Sequence, residues 1–210
     1  MSNFKKPKGV IGGLLCGLMN LGHGPMIREV LAAIDIQPRE VVLDIGCGGG
    51  LALAKMSEKC AKAYGIDYSE VSVARARQKN RAAVKAGRVE VSLADVAEMS
   101  FPDQSLDLVT AFETIYFWND LPGCLRRIHQ MLKPGGRLAI AVEAWKEGED
   151  KVNCPGLFDC LNLKLYNQSE LTGLLSEAGF RRPEFFRGQK RKWFLALARK
   201  EPRAEAPPGQ

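Results

Sequence analysis

The residues of this chain best suited to chemistry stand in the run Asp44-Ile45-Gly46-Cys47-Gly48-Gly49-Gly50. Gly46, Gly48 and Gly50 allow the positive backbone angles and the close main-chain approach that a ligand-cradling turn needs. Asp44 sets a carboxylate under that turn, where it can hold the cationic end of a ligand directly or through water. A dinucleotide fingerprint, G-x-G-x-x-G, uses the same strand-turn-helix position but requires Gly or Ala where Leu51 stands. Further acids follow apolar runs: Asp67 in Tyr64-Gly65-Ile66-Asp67-Tyr68-Ser69, and Asp95 in Ala94-Asp95-Val96. Downstream, Phe112-Glu113-Thr114-Ile115-Tyr116-Phe117-Trp118 and Glu143-Ala144-Trp145 mix acids with aromatic rings, and His23 is one of 2 histidines. Histidine and carboxylate side chains are the usual proton acceptors when a reaction needs a base.

These residues need a scaffold, and the hydropathy pattern from residue 25 onward supplies one. Apolar runs and helical periodicities alternate at short intervals, which predicts a parallel sheet covered by helices on both faces. Strands are expected at 41–45, 63–66, 89–93, 106–112 and 137–142, and helices at 26–34, 51–60, 69–86, 121–132 and 168–178. The near-continuous apolar run at 41–45 suits a sheet centre. Ser69 can cap its helix by accepting from free backbone N–H groups. Pro134-Gly135-Gly136 stops the fourth helix and Gly179 ends the fifth. Two last strands, 184–187 and 193–198, lie so close around Gly188-Gln189-Lys190-Arg191 that they require an antiparallel hairpin at one sheet edge. The expectation is a seven-stranded, mostly parallel α/β sheet spanning 25–200, with a lid insertion at 143–166. Residues 1–24 are expected as an N-terminal helical lid, and 201–210, rich in Pro, Ala and charge, as a disordered tail.

Length and composition set the frame. A chain of 210 residues, 46% apolar and 26% charged, suits one well-buried domain of ordinary type. Its net charge of +6 is spread over Lys5, Lys6 and Lys8, the 75–88 region and the 181–200 run. That distribution reads as a mildly basic solvated surface, with no nucleic-acid partner expected. The cysteines at 16, 47, 60, 124, 154 and 160 lack the paired C-x-x-C spacing of a metal site, so no metal is expected. Scattered cysteines suit reduced thiols in a cytoplasmic protein, although Cys154 and Cys160 bracket a loop and can pair. Residues 10–21 imitate a signal peptide behind the early lysines. Interruption by glycines and Asn20 and the lack of an A-x-A-like site argue against one. No other apolar run approaches the roughly 20 residues needed to span a bilayer.

Taken together, these motifs resemble the class I, Rossmann-like S-adenosylmethionine-dependent methyltransferases of the small-molecule type, over roughly 25–200. Besides DIGCGGG and the acids Asp67 and Asp95, the resemblance includes Met99-Ser100-Phe101-Pro102, Ser105-Leu106-Asp107, Leu132-Lys133-Pro134-Gly135-Gly136-Arg137 and Ser176-Glu177-Ala178-Gly179-Phe180. It implies a Rossmann-like three-layer sandwich binding S-adenosylmethionine. Asp44, Gly46, Cys47, Gly48 and Gly50 would cradle the amino-acid and sulfonium end. Asp67 would take both ribose hydroxyls, Tyr68 would lie against the adenine, Asp95 would accept from the adenine amino group, and the Val96 N–H would donate to the ring.

The reaction so implied is an in-line displacement that leaves S-adenosylhomocysteine, with the protein supplying alignment and exclusion of water. The acceptor should lie over the carboxyl ends of strands four and five. His23, Glu113, Tyr116 and Glu143 are the candidate catalytic residues: His23 as a base or lid contact, Glu113 and Glu143 to hold a cationic or hydroxyl-bearing substrate, Tyr116 with Trp118 and Trp145 as walls. The Asn/Asp-Pro-Pro-Tyr signature of nucleic-acid amino-methylating enzymes is absent after strand four, Cys154-Pro155 reverses the Pro-Cys order of cytosine enzymes, and no cysteine near strand four suits an arsenite-type acceptor. A small organic acceptor is therefore expected. Two other readings stay open: a partner subunit that binds S-adenosylmethionine without catalysis, and an RNA-modifying enzyme using the basic turn 187–192.

Overall fold

Five apolar runs become the parallel strands β1 (Val41–Ile45), β2 (Lys62–Asp67), β3 (Val89–Leu93), β4 (Leu106–Phe112) and β5 (Leu132–Val142) of the computed structural model. The structure describes residues 23–147, 151–153, 164–188 and 193–202. Expectations for the segment before His23, for Cys16, Cys154 and Cys160, for turn residues 189–192 and for the tail from 203 lie outside these residues. Two more strands, β8 (Arg181–Arg187) and β9 (Phe194–Arg199), complete a seven-stranded sheet in the order β3-β2-β1-β4-β5-β9-β8. β9 runs antiparallel to both β5 and β8, so the expected hairpin folds back and inserts its second strand beside β5.

Side-chain alternation divides the core into two layers, one on each face of the sheet. Leu43, Ile45, Leu138, Ile140 and Val142 face α5 (Leu121–Met131) and α6 (Gln168–Glu177), meeting Leu125, Ile128, Leu171 and Leu175. Val42, Leu108, Ala139 and Ala141 face α1 (23–34), α2 (Leu51–Ser57), α3 (Glu70–Lys79) and α4 (Arg81–Lys85). The three-layer α/β/α sandwich is thus formed, with Ala139 and Ala141 giving α1 room to approach. Gly65 in β2 serves the same end, since a Cβ there would lie 2.8 Å from Leu53 of α2.

Beyond shifts of a few residues at element ends, the structure departs from the expected elements at three places. The helix expected over 69–86 is broken at Asn80, whose buried amide donates to the carbonyls of Ala76 (2.8 Å) and Gly50 (3.1 Å) instead of leaving the backbone undisturbed. β5 starts at Leu132, five residues early, because Pro134-Gly135-Gly136 is laced to Lys200 by two main-chain hydrogen bonds. After β5, inside the expected lid insertion, β6 (Trp145–Glu147) pairs antiparallel with β7 (Lys151–Asn153).

α1 is fixed at its far end. The guanidinium of buried Arg137 donates to the last helical carbonyl, that of Ile34, and forms an ion pair with Glu40 at 2.5 Å. A carbonyl at a helix C-terminus lacks an intrahelical partner, and a cation there also meets the negative end of the helix dipole. The Trp193 indole N–H, donating to Glu29 at 2.7 Å, ties the same helix to the start of β9. Among the described residues, no helix is long and apolar enough to cross a membrane.

Candidate functional site

The loop leaving β1 is built by three glycines with three different duties. The N–H groups of Gly46 and Cys47 both donate to the carbonyl of Ile66, which locks the loop to the end of β2. Gly46 has φ +69°, and a Cβ there would sit 2.3 Å from the Thr114 methyl group, so the loop passes hard against the chain leaving β4. Gly48 has φ +52° with open space where its Cβ would be, so a ligand can reach the backbone. Gly50 has φ +76° and faces the other way, toward Asn80 and Ala76 of the neighbouring helix. The cavity is lined by Gly46, Cys47, Gly48 and Gly49, and Gly50 is not part of its wall. Gly50 stands outside that wall, where it allows α2 and α3 to close on each other.

Four carboxylates converge on this cavity, whose volume is about 390 Å³. Asp67, at the end of β2, accepts one backbone N–H on each oxygen, from Gly48 and from Ser69, both at 2.9 Å. The Ser72 side chain also donates to this carboxylate, so three of its four lone-pair directions are used and one remains for a ligand. Burial raises the Asp67 pKa, against the pull of these N–H bonds. Asp44 is 2% exposed, and burial pushes its pKa up to about 7 although Thr110 donates to it at 2.7 Å. Asp95, exposed, accepts from the Ala97 N–H at 2.9 Å in a turn that sets it beside Val96 on the cavity wall. Tyr68 lines the wall between Asp67 and Asp95, and burial followed by those two charges lifts its hydroxyl to about 12.

The fourth carboxylate, Glu113, belongs to a second group at the carboxyl ends of β4 and β5. Glu113 has φ 59°, an uncommon left-handed conformation for a residue with a side chain. One carboxylate oxygen accepts the Glu143 N–H and the other accepts from Tyr116 at 3.2 Å. Tyr116 in turn takes the Ala144 N–H at 3.2 Å. His23, at the start of α1, places Nδ1 3.0 Å from the Glu143 carboxylate. Burial raises Glu113 to about 7. For His23, burial pulls the pKa down, but the Glu143 hydrogen bond and the charges of Glu113 and Glu143 outweigh it and raise the net value. His23, Glu113 and Tyr116 line the same cavity as the glycine loop; Glu143 reaches it through His23.

The cavity therefore has one end of carboxylates around an open backbone and another end where a carboxylate-bound imidazole faces aromatic walls, Phe112, Phe117 and Trp118 among them. Trp145, expected as a wall, instead stacks on Phe194 in the core, its rings 6.0 Å apart. Thr110 and Thr114 escaped sequence reasoning, as did Asn80. Thr110 carried a signal, being the one hydroxyl residue in an otherwise apolar strand interior; Thr114 carried none, because its role depends on which loop β4 meets in space. Among the described residues, no group of three His, Cys, Asp or Glu side chains could hold a metal ion.

The sequence model of the methyltransferase domain family matches residues 43–140. A phosphoethanolamine N-methyltransferase of Triticum aestivum is 28% identical over 178 residues, covering 81% of this chain and 35% of that one. The O-methyltransferase resE of Aspergillus sclerotiorum is 30% identical over 181 residues, covering 80% of this chain and 64% of its own length. The chain thus spans from about a third to just under two thirds of these curated relatives. Among solved structures, a SAM-dependent methyltransferase from Aquifex aeolicus superposes with a TM-score of 0.67 at 26% identity, over 82% of this chain and 88% of that one.

Proposed function

We propose that this chain transfers the methyl group of S-adenosylmethionine to a small organic acceptor in the cytoplasm, a reading supported by the match of residues 43–140 to the methyltransferase domain family. The observation that carries the reading is Asp67. Held by the N–H groups of Gly48 and Ser69 and by the Ser72 side chain at the rim of an open glycine turn, it is a fixed carboxylate acceptor that keeps a lone pair for a ligand hydroxyl. The surrounding residues fit the rest of the donor. Gly48 leaves the main chain open, Tyr68 and Val96 offer a flat apolar slot, Asp95 offers an acceptor for an amino group, and Asp44 lies under the loop where a cationic end would be neutralised.

Bound S-adenosylmethionine supplies a methyl group already activated by its sulfonium, so the protein's work is alignment and exclusion of water. The loop and the three aspartates fix the donor end. Glu113 and Tyr116 brace the far end by tying the residue after β4 to the residue after β5. His23, oriented by Glu143 through Nδ1, leaves Nε2 to accept a proton from an acceptor that arrives protonated. The buried thiols Cys47, Cys60 and Cys124, held free, support a reducing compartment.

Calorimetric titration tests the reading. Wild-type protein should bind S-adenosylmethionine, and Asp67→Ala should weaken binding at least about tenfold, the loss of a hydrogen bond to a charged acceptor at about 1.5–3 kcal/mol. Unchanged affinity in that variant overturns the assignment. Transfer of labelled methyl to a metabolite pool then distinguishes an enzyme from a subunit that only binds the donor.

A further inference from the structure

Two polar side chains are buried side by side beneath the glycine loop. Asp44 of β1 and Thr110 of β4 are partners in the parallel register, so both side chains leave the same face of the sheet, and both are buried. A hydroxyl taken out of water costs free energy unless it is bonded, and a valine would fill nearly the same space without that cost. The Thr110 hydroxyl has one proton to give and three acceptors near it: Asp44 Oδ1 at 2.7 Å, the Leu43 carbonyl at 3.4 Å and Met56 Sδ at 3.7 Å. Distance and charge both direct it to Asp44. The last torsion of an aspartate is a broad, two-fold rotor, and a hydrogen bond to one oxygen fixes its plane. Asp44 lines the ligand cavity, and Thr110 stands behind it, outside the wall.

We infer that Thr110 is a positioning residue for the donor, aiming the Asp44 carboxylate at the cavity and holding it in the charged form that a cationic ligand needs. The inference rests on the methyl-transfer reading above and concerns the same cavity. A hydroxyl can donate to a carboxylate and accept from a carboxylic acid, so Asp44 keeps a partner in either state, but the bond to the anion is the stronger. Thr110 thereby opposes burial, which pushes Asp44 up to about 7. The other titratable groups facing Asp44 among the described residues are Asp67 at the end of β2 and the Cys47 thiol of the loop. The charge of Asp67 also pushes Asp44 up, and burial keeps Cys47 protonated. The Thr110 hydroxyl is thus the influence that favours the anion.

Calorimetric titration with S-adenosylmethionine across this pH range tests the role in Thr110 variants whose folding is checked by urea unfolding. In Thr110→Val the rise of affinity with pH should move up by about one pH unit. Binding is then about tenfold weaker than wild type at pH 6 and about twofold weaker at pH 8. Thr110→Ser, which keeps the hydroxyl, should restore the wild-type midpoint. Thr110→Cys, whose thiol is a weaker donor, should give a midpoint between the two, and it carries the test if Thr110→Val does not fold. In an Asp44→Asn background the profile should stay flat whichever residue stands at 110. A Thr110 that only fills space would weaken binding by the same factor at every pH. That outcome, an unshifted midpoint in the variant that carries the test, or a flat wild-type profile overturns this inference and leaves the donor reading standing. Wild-type protein that binds no S-adenosylmethionine at any pH removes the donor reading and this inference with it.

Discussion

Asp44 makes the affinity for a cationic donor depend on pH in a way that can be worked out beforehand. In the free protein its pKa is raised to about 7 by burial, and it is 2% exposed, so solvent screens little of that effect. A sulfonium and an ammonium nearby favour the carboxylate and return its pKa toward the usual range. Below the raised pKa, binding must expel a proton, and affinity falls by up to tenfold for each pH unit. The factor lost is about eleven at pH 6, about two at pH 7 and near one at pH 8. S-adenosylmethionine should therefore bind about tenfold more tightly at pH 8 than at pH 6. Near pH 7 about half a proton should be released for each ligand bound. Calorimetry in two buffers of different ionisation enthalpy reads both quantities. Asp44→Asn should abolish the proton release and flatten the profile, while Glu113→Gln, which removes the other carboxylate near 7, should leave most of the slope. A flat wild-type profile, or the same slope in Asp44→Asn, would refute the reasoning.

Two further outcomes follow from contacts in the site. Gly46→Ala should destabilise the fold by about 2–4 kcal/mol, because a left-handed alanine costs about 1–2 kcal/mol and its Cβ would press into the Thr114 methyl group. Thr114→Ser removes that methyl and should return about half the loss in a double-mutant cycle by urea unfolding; strict additivity would show that the two loops do not touch. For pH, His23 acts as a base in its neutral form and its pKa is raised, so kcat/KM at saturating donor should climb through a midpoint above 6.5. Glu143→Gln removes the main raising influence and leaves the lowering effect of burial, so the midpoint should shift to lower pH as the plateau falls. A midpoint that stays in place would show that Glu143 does not hold His23 in the active protein.

Much of the architecture was legible because strands advertise themselves by composition. Strands β3 and β4 have the expected bounds, and the glycine loop, Asp67 and Asp95 meet in one cavity. Elements were misjudged where a single side chain overrode local propensity. Asn80 sits in a run of good helix formers, and only its bonds to Gly50 and Ala76 reveal why the helix stops there. Gly50 looked like its neighbours in sequence because a glycine that admits a ligand and one that admits a helix differ only in what lies opposite. The His23–Glu143 pair spans 120 residues, and sequence could nominate both members without joining them. Thr110 illustrates the same limit, since Asp44 needs a partner that only the β1–β4 register supplies.

The Arg137 anchor sets the mechanics of the site from a distance. α1, described over 23–34, carries His23 at one end and Arg137's bonds at the other, and at 1.5 Å per residue it is roughly 18 Å long. Sliding this rod along its axis would break the hydrogen bond from buried Arg137 to the Ile34 carbonyl, at a cost of about 1–3 kcal/mol for the groups left unpaired. Tilting about the pinned end, by contrast, leaves Arg137 in place and converts a rotation of a few degrees into an ångström or so at the imidazole. The base is thus mounted on a rod whose pivot lies at the far end of the helix, and its distance from the methyl group is governed by angle far more than by translation.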